Sequence, residues 1–267
     1  MSISSQLFLQ HLNDDEQRKD NTRYLIIEDG QARYMKNMQE KSIPVFSHGN
    51  LYAIAQGIVS LPQPELSADI AIRTLLGFYE QSLEEETSIM HFILESHKKL
   101  IQRRKEVNSP PIGVSISFLW FPSRIENTVY YGNIGCTRIY RKNMMGMQSV
   151  TTLQTRAEFA RRQDLPLPDN GERLAQGLFF GRVYPQRTSK LHLIEGLDYG
   201  SETTRGDNQY ILSTSPRNIP NQERYSTLRD PQYNDMDTID IPEPIEEGFD
   251  ESPTGDGVRG GSLIISM

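Results

Sequence analysis

The chain has a single cysteine, Cys136, so no intramolecular disulfide can form, as is usual in a reducing compartment. No apolar run approaches the ~18 residues that a membrane helix needs, and Met1 to Thr22 has no long apolar stretch of the signal-peptide kind. A soluble, cytoplasmic protein without a membrane span is therefore expected. Positive charge is not in excess either: 28 Lys and Arg stand against 35 Asp and Glu, a net of −7. The basic face that marks a nucleic-acid binder is not expected.

The acidity is concentrated in one place. Asp230 to Val258 holds ten acidic residues and no basic one, so the remainder of the chain carries +3. This segment also has four prolines and little periodicity, which reads as an irregular excursion from the folded body. The alternating acids of Asp235, Asp237 and Asp240 lack the glycine and the distant glutamate of a calcium loop, and read as solvated. Hydrophobic residues make up 36% of the 267, enough for a core and compatible with one large mixed-sheet domain.

Residues 1–22 are polar and read as a short arm ahead of a single domain over 23–267. Tyr24 to Ile27 forms a first strand, closed by the turn signal Asp29-Gly30. Ile43 to Phe46 and Leu51 to Ala55 follow as strands. Ala68, Ile72, Leu75, Leu76 and Tyr79 then fall on one helical stripe. A second helix opens at Glu84-Glu85-Glu86 and closes in Lys98 to Lys105, charges that match the two ends of a helix dipole. Beyond Pro110-Pro111 the pattern turns to strands: 113–121, 127–134, 137–141, 147–153, 191–194, 210–213 and 262–265. Strands, two adjacent helices and many hairpin-linked strands predict an α+β sandwich whose last strand returns to the central sheet.

Several short motifs appear in one order. Leu51-Tyr52-Ala53-Ile54-Ala55-Gln56-Gly57 is a core strand ending in a polar residue and glycine. Gly113-Val114-Ser115-Ile116 opens the next strand, and Gly132-Asn133-Ile134-Gly135-Cys136-Thr137-Arg138-Ile139-Tyr140 forms a hairpin. Leu174 to Leu178 and Gly206-Asp207-Asn208-Gln209-Tyr210-Ile211-Leu212 follow. This order resembles the PPM-type (2C class) metal-dependent Ser/Thr protein phosphatases over roughly 24–265. The resemblance implies two stacked antiparallel β-sheets flanked by helix pairs. It also implies two Mn²⁺ or Mg²⁺ ions, held by aspartates, that activate a water against a phosphoserine or phosphothreonine.

At the positions the resemblance assigns to those acids, this chain has other residues. They are Gln56 before Gly57, Cys136 in the hairpin, Ser215 after Thr214, Arg259 ahead of Gly260-Gly261, and Met38 at the end of an early motif that begins at Arg33. Asp20 or Asp29 is the alternative counterpart of that early acid, and Asp256 lies three residues before Arg259. Hard divalent cations take oxygen ligands, and ionised carboxylates offset the cost of dehydrating them. Gln56 has only a neutral carbonyl, Ser215 a hydroxyl, Met38 a soft thioether and Arg259 a fixed positive charge. Without a metal, nothing lowers the pKa of an attacking water.

A catalytically inactive, phosphatase-like protein with no metal cofactor is therefore expected, acting as an interaction, scaffold or phospho-binding module. Its partner would be another protein, a phosphoprotein or a basic surface among the candidates. Arg33, at the place of the family's phosphate-gripping arginine, is the candidate residual phosphate contact, though a surface arginine is the commoner reading. His48, His91 and His97 lack zinc spacing and read as structural, and Cys136 reads as a small buried filler. Two alternatives remain open. One is an active Mn- or Mg-dependent phosphatase with a metal site displaced onto Asp20, Asp29, Asp207 or the acidic segment. The other is a structural subunit of a larger assembly.

Overall fold

A computed structural model describes residues 3–9, 21–36, 39–58, 63–81, 102, 113–123, 128–143, 146–151, 160–161, 164–167, 203–204, 209–214 and 261–266. The second expected helix, the 191–194 strand, the Leu174–Leu178 motif and the acidic segment lie outside the described residues, as do Met38, Ser215 and Arg259.

Twelve strands and one long helix are described. They are β1 (Ser4–Leu9), β2 (Thr22–Glu28), β3 (Gln31–Lys36), β4 (Gln39–Pro44), β5 (Gly49–Gly57), α1 (Pro64–Glu80), β6 (Val114–Pro122), β7 (Thr128–Ile134), β8 (Arg138–Asn143), β9 (Gly146–Ser149), β10 (Thr203–Thr204), β11 (Gln209–Ser213) and β12 (Gly261–Ser266). They build two antiparallel sheets. One runs β1-β12-β11-β8-β9 and the other β10-β7-β6-β5-β2-β3-β4. The expected sandwich is present, and the C-terminal strand sits inside the five-stranded sheet between β1 and β11. No described helix is long and apolar enough to cross a membrane.

Alternation along each strand sorts the side chains into two layers. Tyr24, Ile26, Tyr52, Ile54, Leu119, Phe121, Val129 and Tyr131 of the larger sheet meet Ile139, Tyr210, Leu212, Leu263 and Ile265 of the smaller one. Phe121 ties the layers with edge-on contacts to Tyr52 and Tyr210, at centroid distances of 5.7 and 6.0 Å. The other face of the larger sheet carries Leu25, Ile27, Leu51, Ala53, Ala55 and Ile116, and α1 covers it with Ala68, Ala71, Ile72, Leu75 and Tyr79. The stripe expected on α1 is the one that is buried, with Leu76 at its margin. Full burial of a side chain such as Ile72 stabilises by roughly 1.5–3 kcal/mol.

Two elements differ from the sequence expectation. Ser4–Leu9, read as part of a polar arm, is strand β1, paired in register with Ser266–Gly261 at the edge of the smaller sheet. The strand expected at Ile43 to Phe46 is β4, Gln39–Pro44, and it forms a hairpin with the unexpected β3 that lies between β2 and β5 in sequence but outside β2 in space, so that β2 pairs directly with β5. Edge strands bury one margin only, and their apolar pattern is correspondingly weak.

A buried ion pair fastens α1 to the larger sheet. Arg23, on β2, is fully buried and donates from Nε to Asp69 Oδ1 of α1 at 2.5 Å. Tyr34, on β3, donates its hydroxyl to the same oxygen. Burial first, and then the Asp69 hydrogen bond and charge, raises the pKa of Tyr34 well above the usual tyrosine value.

Candidate functional site

The inter-sheet interior changes character towards one end of the sandwich. Along β5 the inward residues are Tyr52, Ile54 and then Gln56; along β2 they are Ile26, Tyr24 and then Thr22. Along β6, Phe121 and Leu119 give way to Ser117 and Ser115, and along β7, Val129 and Tyr131 give way to Asn133. Every polar residue in that group is buried, and every one is neutral.

Pairing brings these groups together. Gln56 sits directly between Thr22 of β2 and Ser115 of β6. The β7–β8 turn then delivers Cys136. Gly135 turns there at φ +96°, and a Cβ on it would fall 2.2 Å from Ser115 Oγ, so glycine is required on both counts. The Cys136 N–H donates to Ser115 Oγ at 3.1 Å. Its Sγ lies 3.2 Å from Ser115 Oγ and 3.8 Å from Gln56 Oε1, within reach of either for its one S–H. Beside them, Asn133 Nδ2 donates to Ser117 Oγ at 2.7 Å and to the Thr137 carbonyl at 2.5 Å, while Ser117 Oγ donates to Thr137 Oγ1 at 2.8 Å.

Burial pushes the Cys136 thiol above its ordinary pKa, against the smaller opposing effects of the Ser115 hydrogen bond, its own backbone N–H and the charge of Arg138. A thiol in that state is neither a ready nucleophile nor a thiolate ligand. The set formed by Gln56, Ser115 and Cys136 therefore has one amide carbonyl, one engaged hydroxyl and one protonated thiol. This does not fit Mg²⁺ or Mn²⁺, which take several oxygen donors with carboxylates among them. Among the described residues, no three His, Cys, Asp or Glu side chains converge on a common point.

Two of the residues singled out from the sequence, Gln56 and Cys136, are thus neighbours although 80 positions apart. Arg33 is elsewhere. It is level with Ile26, which is level with Tyr52. That places it four residues along and two strands across from Gln56, roughly 13 Å and 10 Å in the two directions. Its Nη2 donates to Glu28 Oε2 at 2.6 Å and reaches Ser5 Oγ at 3.4 Å, while Tyr52 donates to the other Glu28 oxygen at 2.9 Å. This network joins the two sheets and leaves Arg33 turned away from the polar end. Asp29 is exposed in the β2–β3 turn, at the far end of β2 from Gln56. Asp20 and Asp207 lie outside the described residues.

Asn21 is the residue that the sequence reading passed over. Its Nδ2 donates to the Gly57 carbonyl at 2.7 Å, and the Gly57 N–H donates to the Asn21 carbonyl at 2.9 Å. Asn21 therefore clamps the glycine that follows Gln56. Gly57 has no room for a side chain, since a Cβ would stand 1.9 Å from the Pro64 carbonyl oxygen at the start of α1. The signal available in the sequence was the Asp20-Asn21-Thr22 run immediately before β2, next to β5 once the β3–β4 hairpin is set aside.

No protein-family model matches the chain, and no curated protein matches it by sequence. Solved structures do match it. The serine/threonine phosphatase of S. agalactiae superposes with a TM-score of 0.63 at 9% identity, covering 100% of both chains. The serine/threonine phosphatase Stp1 of Staphylococcus aureus superposes with a TM-score of 0.62 at 11% identity, covering 100% of this chain and 95% of its own. The PPM Ser-Thr phosphatase MsPP of Mycobacterium smegmatis, solved with cacodylate, gives a TM-score of 0.55 at 10% identity over 100% of this chain and 97% of its own. With two stacked antiparallel sheets, the strand order described above and full-length superposition on these structures, the chain has the fold of the PPM-type serine/threonine phosphatases.

Proposed function

We propose that this protein is a pseudophosphatase, a PPM-type fold that serves as a protein-interaction, scaffold or phospho-binding module without metal-dependent hydrolysis. One observation carries the reading. At the sandwich end where the resemblance places metal-binding aspartates, Gln56, Ser115 and Cys136 form a buried, neutral cluster. Every group in it has a protein neighbour, and none carries the negative charge that offsets dehydration of a divalent cation. Ser215 and Arg259, matched to two of the other acids, point the same way by their chemistry alone.

The rival reading, an active phosphatase with a displaced metal site, draws on the likeness of fold, and fold does not fix function. Steady-state turnover of a phosphothreonine peptide with Mn²⁺ present separates the two. The pseudophosphatase reading expects no turnover above that of a heat-denatured control. Turnover that depends on Mn²⁺ and is abolished by chelation would remove it. A soluble cytoplasmic setting and a protein partner belong to the same proposal.

A further inference from the structure

Among the described strands β4 is the outermost on its side of the larger sheet, and Glu40 to Pro44 are all exposed. Register sorts its side chains. Lys41 is level with Tyr34 and Ile43 with Ala32, the β3 residues that pack towards α1. Glu40 is level with Met35, which packs on the inter-sheet core. The face on the α1 side therefore shows a cation, Lys41, beside an apolar side chain, Ile43, which is 44% exposed. Helix α1 adds Arg73, exposed and near enough for its charge to act on Tyr34. Asp69, one turn earlier on α1, is already engaged by Arg23 and Tyr34, and Glu65 lies a further turn away. Among the described residues neither Lys41 nor Arg73 forms an ion pair.

Just past β4, Phe46 is 82% exposed, although the backbone on either side of it is fixed. The Val45 N–H donates to the Gly30 carbonyl at 2.9 Å, and the His48 N–H donates to Tyr79 Oη at 2.9 Å. A large apolar side chain is thus held out on an ordered corner, which lowers the ordering cost when a partner covers it.

We propose that the β4 edge docks an extended acidic segment of a partner protein. The segment adds a strand to β4, sets carboxylates against Lys41 and Arg73, and lays an apolar side chain over Ile43 and Phe46. Backbone pairing supplies affinity in this mode, and alternate side chains supply selectivity. A lysine on an exposed edge and a proline at its end discourage indiscriminate pairing between strands. Here the same two residues restrict the ladder to Gln39–Ile43 and favour one sign of charge. The inference rests on different residues from the pseudophosphatase reading and stands whether or not Gln56 supports hydrolysis.

The test uses the full chain and two short end-blocked fluorescent peptides, one repeating Asp-Thr-Ile-Thr and one repeating Lys-Thr-Ile-Thr, so that the charged and apolar side chains fall two apart on one face, read by anisotropy. The acidic peptide is expected to bind, to weaken as salt rises, and to lose roughly tenfold or more in affinity in the Lys41→Glu/Arg73→Glu double variant. Ile43→Ser is expected to weaken it without altering the salt dependence. These side chains are exposed, so unchanged melting curves are expected to accompany the loss. Equal binding of the basic peptide, or unchanged affinity after charge reversal, would overturn the proposal. Absence of binding to the acidic peptide would overturn it as well. Self-association in sedimentation that the same reversal abolishes would reassign the edge to a second copy of the chain.

Discussion

Gln56→Glu is the most informative perturbation of the polar end, because it keeps the size of the side chain and adds only a proton-linked charge. Gln56 is 3% exposed, and its Oε1 faces the Cys136 thiol, whose own pKa burial already raises. Among the described residues no cation touches position 56, and the charge of Arg138, felt at Cys136, offers partial relief at a distance. The carboxyl is therefore expected to stay protonated in the folded state, with a pKa raised well above the unfolded value of about 4.3. If the folded pKa reaches about 6–7, linkage makes the variant about 2–4 kcal/mol less stable at neutral pH. The folded state then binds the extra proton more tightly than the unfolded chain does. The penalty is absent below about pH 4, grows as pH rises through the unfolded pKa, and levels off above the folded one. Urea denaturation of wild type and variant from pH 4 to 8 reads this difference directly. Equal stability across that range would mean that position 56 meets water or a counter-charge, and the description of a dry, neutral cluster would be wrong.

Asp69→Asn is expected to lower stability by about 3–5 kcal/mol in urea denaturation, because it strands the fully buried Arg23. Tyr34 and Tyr52 are expected to ionise after the exposed tyrosines in an alkaline absorbance titration, since burial raises both, Asp69 reinforcing it for Tyr34 and Glu28 for Tyr52. Because their folded pKa values are raised, stability falls as pH climbs above the unfolded value of about 10. Cys136 is expected to resist a thiol-specific disulfide reagent in the native protein and to react at once in denaturant, and fast native reaction would contradict its burial. Gly57→Ala is expected to cost about 1–3 kcal/mol or more, because its Cβ meets the Pro64 backbone; a neutral result would show that α1 can shift away.

The strands buried on both faces were the legible part of the fold. β5 and β6 carry unbroken apolar runs because α1 lies on one side and the second sheet on the other. β1 and β3 escaped notice for the opposite reason. Each lies at or next to a sheet edge, and sequences such as Gln31–Lys36 mix polar and apolar residues without a strong period. The inserted hairpin also explains the early motif. Sequence order alone set Arg33 to Met38 ahead of β5, whereas pairing sets Asn21 and Thr22 there. The meeting of Gln56 with Cys136 was legible only through the resemblance, since nothing local links positions on β5 and on the β7–β8 turn. Ser115, which bridges them, sat in a quoted motif but had no charge to mark it.

Calorimetric titration of the full chain with Mn²⁺ tests the central claim most directly. A neutral cluster of amide, hydroxyl and thiol predicts no heat of binding up to millimolar metal and no shift in melting temperature. Stoichiometric binding at micromolar Mn²⁺, accompanied by a stabilised fold, would show that acids elsewhere in the chain complete a metal site, and the account of this sandwich as a binding module would fail.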